Sequence, residues 1–557
     1  MAIEGSVKKI LIVGGVAAGA TAAARARRLD ESAEITIVEK GRYVSFANCG
    51  LPYFISRDIP KRSSLILQTP EGFFSRYRVN VLLQTEALSL DRSARSVRVR
   101  GPEGESDLTY DSLILAQGGT PVFPPIRGLD SPNVFRLWTL PDMDGVHKFL
   151  ETEKPSSAVV IGGGFIGLEA AEAFTKRGHA TSIVELTETL MPPADPEFGR
   201  LIRRSYETAG ARVFTGRSVR SVDSGSGTIT LDDGTEIPAG IVLVSAGVRP
   251  NTELARAAGL EIGPSGGISV DEGLRTSDPN IWAAGDMAEI SHRVGGRRIR
   301  VPLAGPANRQ GRIAATNALG GSMTYRGALG SSVFKSMEDT FAMTGLSEKA
   351  ARAAGFDVGT STVAKAHHVT YYPGSEDLFL KLVFDRSSRK LLGGQAYGRA
   401  GADKRIDTLA AALAGGLTVD DLADLDLAYA PPYNSANDPI NMAAYAAQND
   451  LSGYSPARTA RETVEALIKD EALLVDVRTY GEYAKGAVRD SLHMPLDELR
   501  DRFEELPGDR NLLLLSKAGF EGHVALRQLR QLGFKNIWNV SGGMAALSLE
   551  PDLPWAE

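Results

Sequence analysis

Short apolar runs that end in glycine-rich turns recur along the chain and predict an α/β fold. Residues 9–13 and 35–38 are apolar and rich in β-branched side chains, as expected of strands buried in a parallel sheet. An alanine- and arginine-rich stretch of helical character lies between them. The same order of run, glycine turn, helix and run returns at residues 158–161 and 181–184. The first half of the chain therefore predicts two βαβ units.

The first glycine turn has the spacing of a dinucleotide-binding fingerprint. Residues 14–19 (GGVAAG) follow the first run, and the second run ends at Glu39. Such a turn lets a pyrophosphate lie against the helix N-terminus, while the acid accepts hydrogen bonds from a ribose. Val16 occupies the place of the preferred second glycine, so a purely structural turn is the alternative here.

The second fingerprint, residues 162–167 (GGGFIG), is the closer match and leads to Glu185 at the usual distance of about 20 residues. Leu186 and Thr187 follow it, with no adjacent arginine. A carboxylate in that place repels the 2′-phosphate of NADPH. We therefore predict two bound dinucleotides, one of them NADH in preference to NADPH.

Composition indicates a globular protein whose partner is a small molecule. The length of 557 residues suggests about three to four domains. The chain is 43% hydrophobic and 23% charged, as is ordinary for a globular protein. A net charge of −6 without a clustered basic face argues against nucleic-acid and membrane-surface binding. No segment reaches the roughly 18 continuous apolar residues of a membrane span. The sequence suggests no metal site.

The N-terminal segment has two interpretations. Lys8 and Lys9, followed by an apolar stretch, resemble the start of a secretory signal. The glycine turn and the acid after it fit a βαβ unit better. We therefore expect a cytoplasmic protein, in which a lone thiol stays reduced.

The chain has one cysteine, Cys49, which lies shortly after the first fingerprint in the segment SFANCGLPY. A protein that reduces disulfides with an internal dithiol needs two sulfur atoms. If Cys49 takes part in sulfur redox chemistry, its partner sulfur must therefore come from another molecule. The alternative is a buried, inert cysteine.

The chain resembles the FAD-dependent pyridine nucleotide-disulfide reductases. The motifs that carry the resemblance are the two fingerprints and residues 115–121, 245–251 and 281–286, which occur in the family's order. The resemblance covers roughly residues 8–447 and implies two Rossmann-like domains and an α+β dimerisation domain. It places the FAD-binding domain at 1–121 and 246–325, the NAD-binding domain at 122–245 and the dimerisation domain at 326–447.

The resemblance also implies the cofactor contacts. The FAD contacts would be Gly14, Val16, Ala17, Gly19, Glu39, Lys40, Ala116, Gly118, Asp286, Pro302 and Ala304. The NAD contacts would be Gly162, Gly164, Phe165, Ile166, Gly167, Glu185 and Gly247.

Residues 45–52 resemble the single-cysteine branch that contains coenzyme A disulfide reductases, persulfide reductases and NADH oxidases. In that chemistry, electrons pass from NADH through FAD to Cys49. The freed thiolate then attacks an external S–S bond, through a mixed disulfide or a persulfide. We expect the helix that begins near residues 50–52 to lower the Cys49 pKa through its N-terminal dipole.

Coenzyme A is the candidate substrate group. Arg28, Ser45, Phe46 and Asn48 match positions at which CoA-binding relatives contact the cofactor. After residues 69–71, where some relatives offer a lysine to a CoA phosphate, this chain has none. The candidate replacements are Lys61, Arg62 and Arg76. This departure leaves the identity of the thiol open.

Two other functions compete with thiol chemistry. An NADH oxidase or peroxidase would cycle Cys49 through a sulfenic acid. Such relatives carry a histidine in the first glycine loop, where this chain has Ala17, so we rank thiol chemistry first. A redox-sensing binding protein is the third possibility.

Two tyrosines match positions that thiol-reducing relatives supply across a dimer. We assign them to Tyr371 and Tyr429, with Tyr372 and Tyr433 as alternatives. A phenol near the leaving sulfur can donate a proton or a hydrogen bond to the departing thiolate. Structural tyrosines at a core edge are the competing interpretation. If the assignment holds, the working unit is a homodimer.

The C-terminal part resembles a rhodanese domain. After a linker at residues 448–458, residues 459–557 have that pattern, and the strand at 512–515 leads into the loop that normally holds the nucleophile. The loop residues are Ser516, Gly519 and Gly522, with serine in the place of cysteine and Glu521 in place of the usual basic residue. Natural loss and an engineered substitution are both open. This domain, lacking the catalytic cysteine, cannot carry sulfane sulfur by the ordinary route.

Overall fold

The computed structural model describes residues 7–556, and the chain divides into two compact units. The first unit contains the residues up to 188 and 209–330, and the second contains 189–208 and the residues from 331 onward. None of the helices among residues 7–556 combines the length and apolar character that a membrane crossing requires.

The N-terminal part of the first unit begins with the predicted βαβ unit. Its strands are β1 Lys9–Val13, β2 Glu34–Val38, β3 Val79–Leu82, β4 Glu86–Asp91, β5 Ser96–Gly101, β6 Gly104–Thr109, β7 Ser112–Leu115 and β8 Gly119–Pro121. Its helices are α1 Ala17–Leu29, α2 Leu51–Ile55 and α3 Pro70–Tyr77, with 3-10 turns at Asn48–Gly50 and Arg62–Leu65. Strands β4, β5 and β6 form an antiparallel sheet of their own.

The second βαβ unit follows. Its strands are β9 Val134–Phe135, β10 Ser157–Ile161, β11 Ala180–Glu185, β12 Arg212–Thr215, β13 Val219–Asp223, β14 Thr228–Leu231, β15 Glu236–Pro238 and β16 Ile241–Val244. Its helices are α4 Leu140–Thr152, α5 Phe165–Lys176 and α6 Pro196–Thr208. Strands β12, β11, β10, β16 and β9 form, in that order, a parallel sheet.

The chain then returns to the first sheet. The elements are β17 Val248–Pro250, β18 Ile268–Ser269, β19 Ile281–Ala283, β20 Ala288–Ser291, β21 Arg298–Ile299, α7 Glu253–Ala257 and α8 Ala304–Ala318. Strand β19 pairs with β7, which completes a five-stranded parallel sheet in the order β19, β7, β1, β2, β3. Helix α8 packs against α1. The carboxyl ends of β1, β7 and β19 therefore lie side by side, the usual place for a dinucleotide.

The second unit begins with an antiparallel sheet. Its elements are β22 Ser332–Ser336, β23 Asp339–Gly345, β24 Val358–Ala366, β25 Asp377–Asp385, β26 Leu391–Gly398, α9 Glu348–Ala353, α10 Ala402–Gly415, α11 Val419–Ala423 and α12 Pro439–Leu451. The buried ammonium of Lys381 contacts carboxylates of Asp195, Glu197 and Glu348 at 3.0, 2.6 and 2.9 Å. These ion pairs join the start of α6 to this sheet.

The C-terminal part is a parallel sheet flanked by helices. Its elements are β27 Ala457–Arg458, β28 Leu473–Asp476, β29 Leu492–His493, β30 Leu512–Leu515, β31 Ile537–Val540, α13 Ala460–Ile468, α14 Tyr480–Tyr483, α15 Leu499–Arg502, α16 Phe520–Gln531 and α17 Gly543–Leu547, with 3-10 turns at Leu496–Glu498 and Phe503–Glu505. The strand order is β27, β31, β30, β28, β29. Helix α12 covers the first residues of the predicted linker, and β27 lies near its end.

Candidate active site

The first glycine turn forms a cradle that only glycine fits. Gly14 has a φ of +102°, and a Cβ atom there would lie 2.2 Å from the Ala116 carbonyl oxygen. A Cβ at Gly19 would lie 1.8 Å from the Gly14 carbonyl oxygen, which shows how closely α1 approaches the turn. The Glu39 carboxylate accepts the Gly15 and Gly41 N–H groups at 2.8 and 2.7 Å. This geometry fits the pyrophosphate and ribose of a dinucleotide.

Most other predicted FAD contacts lie around the same edge of the sheet. Val16 and Ala17 begin α1, Ala116 and Gly118 follow β7, Asp286 follows β19, and Pro302 and Ala304 lie at the start of α8. Burial raises the pKa of Asp286 to about 6, an effect that the charge of Arg300 opposes. Lys40 instead forms a surface ion pair with Glu86 at 2.6 Å.

The second glycine turn repeats this arrangement. Gly162 has a φ of +110°, and a Cβ atom at Gly167 would lie 1.9 Å from the Gly162 carbonyl oxygen. Glu185 accepts the Gly163 N–H at 2.6 Å and the Thr187 N–H at 2.8 Å. The remaining predicted NAD contacts lie nearby: Gly164, Phe165 and Ile166 start α5, and Gly247 follows β16.

Cys49 lies in the 3-10 turn that leads into α2, and part of its side chain is exposed. The Asn48 side-chain oxygen accepts the Cys49 N–H at 3.1 Å and lies 3.7 Å from the sulfur. Burial by the surrounding protein raises the pKa of the Cys49 thiol, and the carboxylates of Glu169 and Asp286 raise it further. The expected lowering of the Cys49 pKa by a helix dipole is therefore wrong, because burial and two carboxylates raise the pKa and α2 has only five residues.

Sequence reasoning missed a hydrogen bond between the two nucleotide-binding halves of the first unit. The Tyr53 hydroxyl donates to a Glu169 carboxylate oxygen at 3.0 Å. Burial raises the pKa of Glu169 to about 7, the Glu172 charge adds to this effect, and the Tyr53 hydrogen bond opposes it. The available signals were positional. Tyr53 is four residues after Cys49, and Glu169 is two residues after the last fingerprint glycine.

The predicted CoA contacts divide into two places. Ser45 has a φ of +47°, its N–H donates to the Gly15 carbonyl at 2.8 Å, and Phe46 and Asn48 follow on the way to Cys49. Arg28 lies exposed in the last turn of α1. Of the four predicted CoA contacts, Ser45 thus adjoins the first glycine turn, Asn48 adjoins Cys49, and Arg28 lies at the far end of α1.

Of the candidate phosphate-binding cations, Arg62 is already engaged. Its guanidinium donates to both Asp144 carboxylate oxygens at 2.6 and 2.7 Å and to the Tyr43 hydroxyl at 3.0 Å. These hydrogen bonds raise the pKa of Arg62 above its ordinary value. Lys61 and Arg76 are exposed. The proposal of Arg62 as a phosphate ligand is therefore not supported.

The two selected tyrosines lie together in the second unit. The hydroxyl oxygens of Tyr371 and Tyr429 are 3.1 Å apart, and the residues are 73% and 47% exposed. Tyr372 instead packs its ring against His368, at 5.6 Å between ring centroids. Tyr433 is exposed, but no hydrogen bond joins it to this pair.

The loop after β30 has an inward-facing serine. Ser516 is fully buried, and its hydroxyl oxygen accepts the Gly519 N–H at 2.9 Å. Gly519 has a φ of +98°, and a Cβ atom at Gly522 would lie 2.3 Å from the Asn539 side-chain oxygen. The loop was predicted to bind an anion through its backbone N–H groups. One of these groups, the Gly519 N–H, is thus already hydrogen-bonded within the loop.

Comparison with known proteins identifies the family. Residues 8–316 match the pyridine nucleotide-disulphide oxidoreductase family. The chain belongs to this family. Residues 331–438 match its dimerisation domain, and 459–550 match the rhodanese-like domain. The predicted α/β fold with two Rossmann-like domains, a dimerisation domain and a rhodanese-like domain is confirmed.

Relatives within this oxidoreductase family extend over most of the chain. A coenzyme A disulfide reductase of Staphylococcus aureus is 33% identical over 444 residues, which is 79% of this chain and all of that protein. The structure of reduced Bacillus anthracis CoADR-RHD has a TM-score of 0.95 and 37% identity, and the match covers 98% of this chain and 99% of that one. A NAD-dependent persulfide reductase from A. fulgidus has a TM-score of 0.92 and 35% identity, with 96% and 99% covered.

Membership of this family implies FAD and NAD(P)H as cofactors, and each glycine turn fits one dinucleotide. The dimerisation domain indicates an oligomer. A water-forming NADH oxidase from Lactobacillus brevis is a more distant neighbour, with a TM-score of 0.77, 27% identity and 80% of this chain and 99% of that one covered. The similarity therefore favours the thiol-reducing relatives over the oxidase.

Proposed function

We propose that this oxidoreductase uses NADH to reduce CoA disulfide, CoA persulfide or polysulfide at Cys49, releasing thiol or hydrosulfide. The observation that carries the proposal is the place of the only sulfhydryl group. Cys49 lies near two carboxylates, and both raise its pKa. Asp286 follows β19 in the predicted FAD-binding part, and Glu169 lies on α5, which follows the second glycine turn. The names of the relatives support the same substrate class.

The proposal assigns each part of the chain a task. Residues 1–121 and 246–325 hold FAD, and residues 122–245 hold NADH, whose ribose contacts the Glu185 carboxylate. Leu186 beside it is exposed and offers no positive charge to a 2′-phosphate. When bound, FAD supplies the two-electron link between NADH and sulfur. We place the enzyme in the cytoplasm, where its solitary thiol stays reduced.

The chemistry of Cys49 then has two stages. Its thiolate attacks one sulfur of the substrate, so that a new S–S bond forms at Cys49 and the other substrate sulfur leaves as a thiolate. Two electrons and a proton then cleave the new bond, which releases the second thiol and restores Cys49. Ser45, Phe46 and Asn48 would orient the CoA moiety beside the sulfur, with Arg28 at the outer end.

Tyr371 and Tyr429 would protonate the leaving sulfur. The phenol of Tyr371 is protonated at neutral pH, since the pKa of tyrosine is about 10 and the hydrogen bond to Tyr429 raises it. We propose that each tyrosine pair serves Cys49 of the partner subunit in a homodimer, as in the thiol-reducing relatives that the chain resembles. Exposure of both side chains on the single chain is consistent with this role.

The test is an anaerobic titration with NADH followed by one oxidant at a time. We expect NADH to bleach the flavin and CoA disulfide, CoA persulfide or polysulfide to restore its colour. Rapid recovery with air alone would favour an oxidase, and failure of NADH to bleach the flavin would favour a redox sensor.

A Cys49→Ser variant tests the thiol step. The hydroxyl cannot form the S–S intermediate, so we expect a loss of disulfide reduction of at least about 10³-fold with FAD still bound. The measurement is NADH consumption with CoA disulfide, together with the flavin absorbance. Turnover retained by this variant would refute the mixed-disulfide step.

A further inference from the structure

The proposed reaction consumes a proton that must reach the sulfur site. Reduction of a disulfide by NADH follows RSSR′ + NADH + H⁺ → RSH + R′SH + NAD⁺. The hydride supplies two electrons, the S–S bond breaks, and one further proton comes from solvent. The inference about the path of this proton depends on the proposed function.

Tyr53 links Cys49 to a half-buried carboxyl group. Tyr53 follows Cys49 by four residues across the 3-10 turn and α2, which places the two side chains about one helical turn apart. Its hydroxyl donates to Glu169 at 3.0 Å, and α2 packs against α5, the helix that carries Glu169. Cys49 lies near enough to Tyr53 and to Glu169 for their charges to influence one another, so the three groups form one cluster beside the second nucleotide-binding turn.

A small cavity adjoins Tyr53 and Glu169. It has a volume of about 10 Å³ and is lined by Tyr53, Ser56, Asp58, Glu169 and Glu172 among others. This space suits about one water molecule. The Ser56 hydroxyl donates to the exposed Asp58 carboxylate at 2.8 Å, and Lys176 contacts the same carboxylate at 2.9 Å. The exposed Asp58 and the half-buried Glu169 thus line the same cavity.

We infer that Glu169 is a positioning residue that relays protons, through Tyr53, between this cavity and Cys49. The ionised carboxylate favours the neutral thiol, and the protonated carboxyl favours the thiolate, so that one proton is exchanged between the two groups. No bond other than those to hydrogen changes in this exchange.

The surrounding charges support the relay. The pKa of Glu169 near 7 lets the group gain and lose a proton at neutral pH. The groups that face it are Tyr53 and Cys49 from the α2 side and Glu172 from its own helix. Asp58 lines the cavity, and Lys176 contacts the carboxylates of Asp58 and Glu172, each at 2.9 Å.

The test measures Cys49 directly, without turnover. Because the chain has one cysteine, alkylation of the NADH-reduced holoenzyme by iodoacetamide, followed by mass spectrometry, reports a single site. We expect Glu169→Gln to move the pH midpoint of alkylation downward by about one unit, since a nearby negative charge is removed. Glu172→Gln, the same change one turn along α5, is the matched control and should shift the midpoint less. An unchanged midpoint in Glu169→Gln, or an equal shift in Glu172→Gln, overturns the inference.

A second variant separates the relay from simple electrostatics. Tyr53→Phe removes the linking hydroxyl and should lower kcat for CoA disulfide by about tenfold or more, with a larger solvent isotope effect than the wild type. Unchanged kcat in Tyr53→Phe refutes the relay. A shifted alkylation midpoint in an enzyme that reduces no S–S substrate would refute the proposed function while the coupling of Glu169 to Cys49 stands.

Discussion

At the scale of single residues, the environment of Cys49 opposes the state that its chemistry needs. Attack on an S–S bond requires the thiolate, whereas burial and the carboxylates of Glu169 and Asp286 favour the thiol. Protonation of either carboxyl removes part of this opposition. The reactivity of this sulfur therefore depends on its burial and on the protonation of the two neighbouring carboxyl groups.

The tyrosine pair gives a prediction at the same scale. Because the hydroxyls of Tyr371 and Tyr429 are 3.1 Å apart, the two phenols should act as one donor. We expect either Phe variant to lower kcat for CoA disulfide by about tenfold or more, and the double variant to lose little beyond that. Stopped-flow bleaching of the flavin by NADH should be unaffected.

Tyr433→Phe is the matched control, since Tyr433 is an exposed neighbour outside the hydrogen-bonded pair. Equal losses of kcat in Tyr433→Phe and Tyr371→Phe would contradict the assignment. Simple additivity in the double variant would show that the phenols act separately.

At the scale of elements, the two βαβ units depend on helices that begin almost in contact with the glycine turns. A Cβ atom added to the last glycine of each fingerprint would lie within 2 Å of a carbonyl oxygen, at 1.8 Å for Gly19 and 1.9 Å for Gly167. The close approach directs the helix N-terminus toward the cofactor. Each glycine turn and its helix therefore form one structural unit. The last glycine allows close packing of the helix, and in the second turn the middle glycine allows the backbone to approach the cofactor.

Two alanine variants of the second turn separate these roles. A Cβ at Gly167 collides with backbone, so Gly167→Ala should lower the thermal unfolding midpoint by about 5 °C or more. A Cβ at Gly164 meets no protein atom within 4 Å, so Gly164→Ala should keep the midpoint and raise KM for NADH by about tenfold, because the backbone can no longer approach the pyrophosphate. Differential scanning fluorimetry and steady-state kinetics measure both effects. The reverse pattern would show that the roles are misassigned.

At the scale of the protein, the rhodanese-like part is bound to other parts of the second unit, namely the antiparallel sheet and α6. The Thr362 N–H on β24 donates to the Ser541 hydroxyl at 3.1 Å, and Arg200 on α6 contacts Glu550 at 3.0 Å. Since Ser516 is buried and carries no sulfur, these contacts favour a structural contribution of this domain over sulfur transfer.

Paired glycine variants test this coupling. Gly542 has a φ of +73°, and a Cβ there would lie 2.9 Å from the Thr362 methyl group and 2.8 Å from Ala546. Gly533 has a φ of +99° and open space around it, so both alanine variants pay the left-handed backbone cost of about 1–2 kcal/mol. Gly542→Ala should lower the unfolding midpoint further, by about 3 °C. Equal shifts would mean that Thr362 and Ala546 make room for the added methyl group without loss of stability.

Much of the fold and part of the candidate site could be predicted from the sequence because those features depend on neighbouring residues. A short segment of sequence is enough to recognise each of these features: the buried strands, the glycine turns with Glu39 and Glu185, the solitary thiol and the loop serine. Tyr371 and Tyr429 were selected only through family resemblance, and the hydrogen bond between them was not predicted.

Other features were decided by the tertiary structure alone. Asp144 engages Arg62, Glu169 meets Tyr53, and Lys381 joins α6 to the antiparallel sheet of the second unit, each across more than 80 residues of sequence. The pKa of Cys49 rises because folding buries the thiol and brings carboxylates from two distant segments to it. Desolvation and long-range charge are properties of the packed neighbourhood, and no local pattern of residues encodes them.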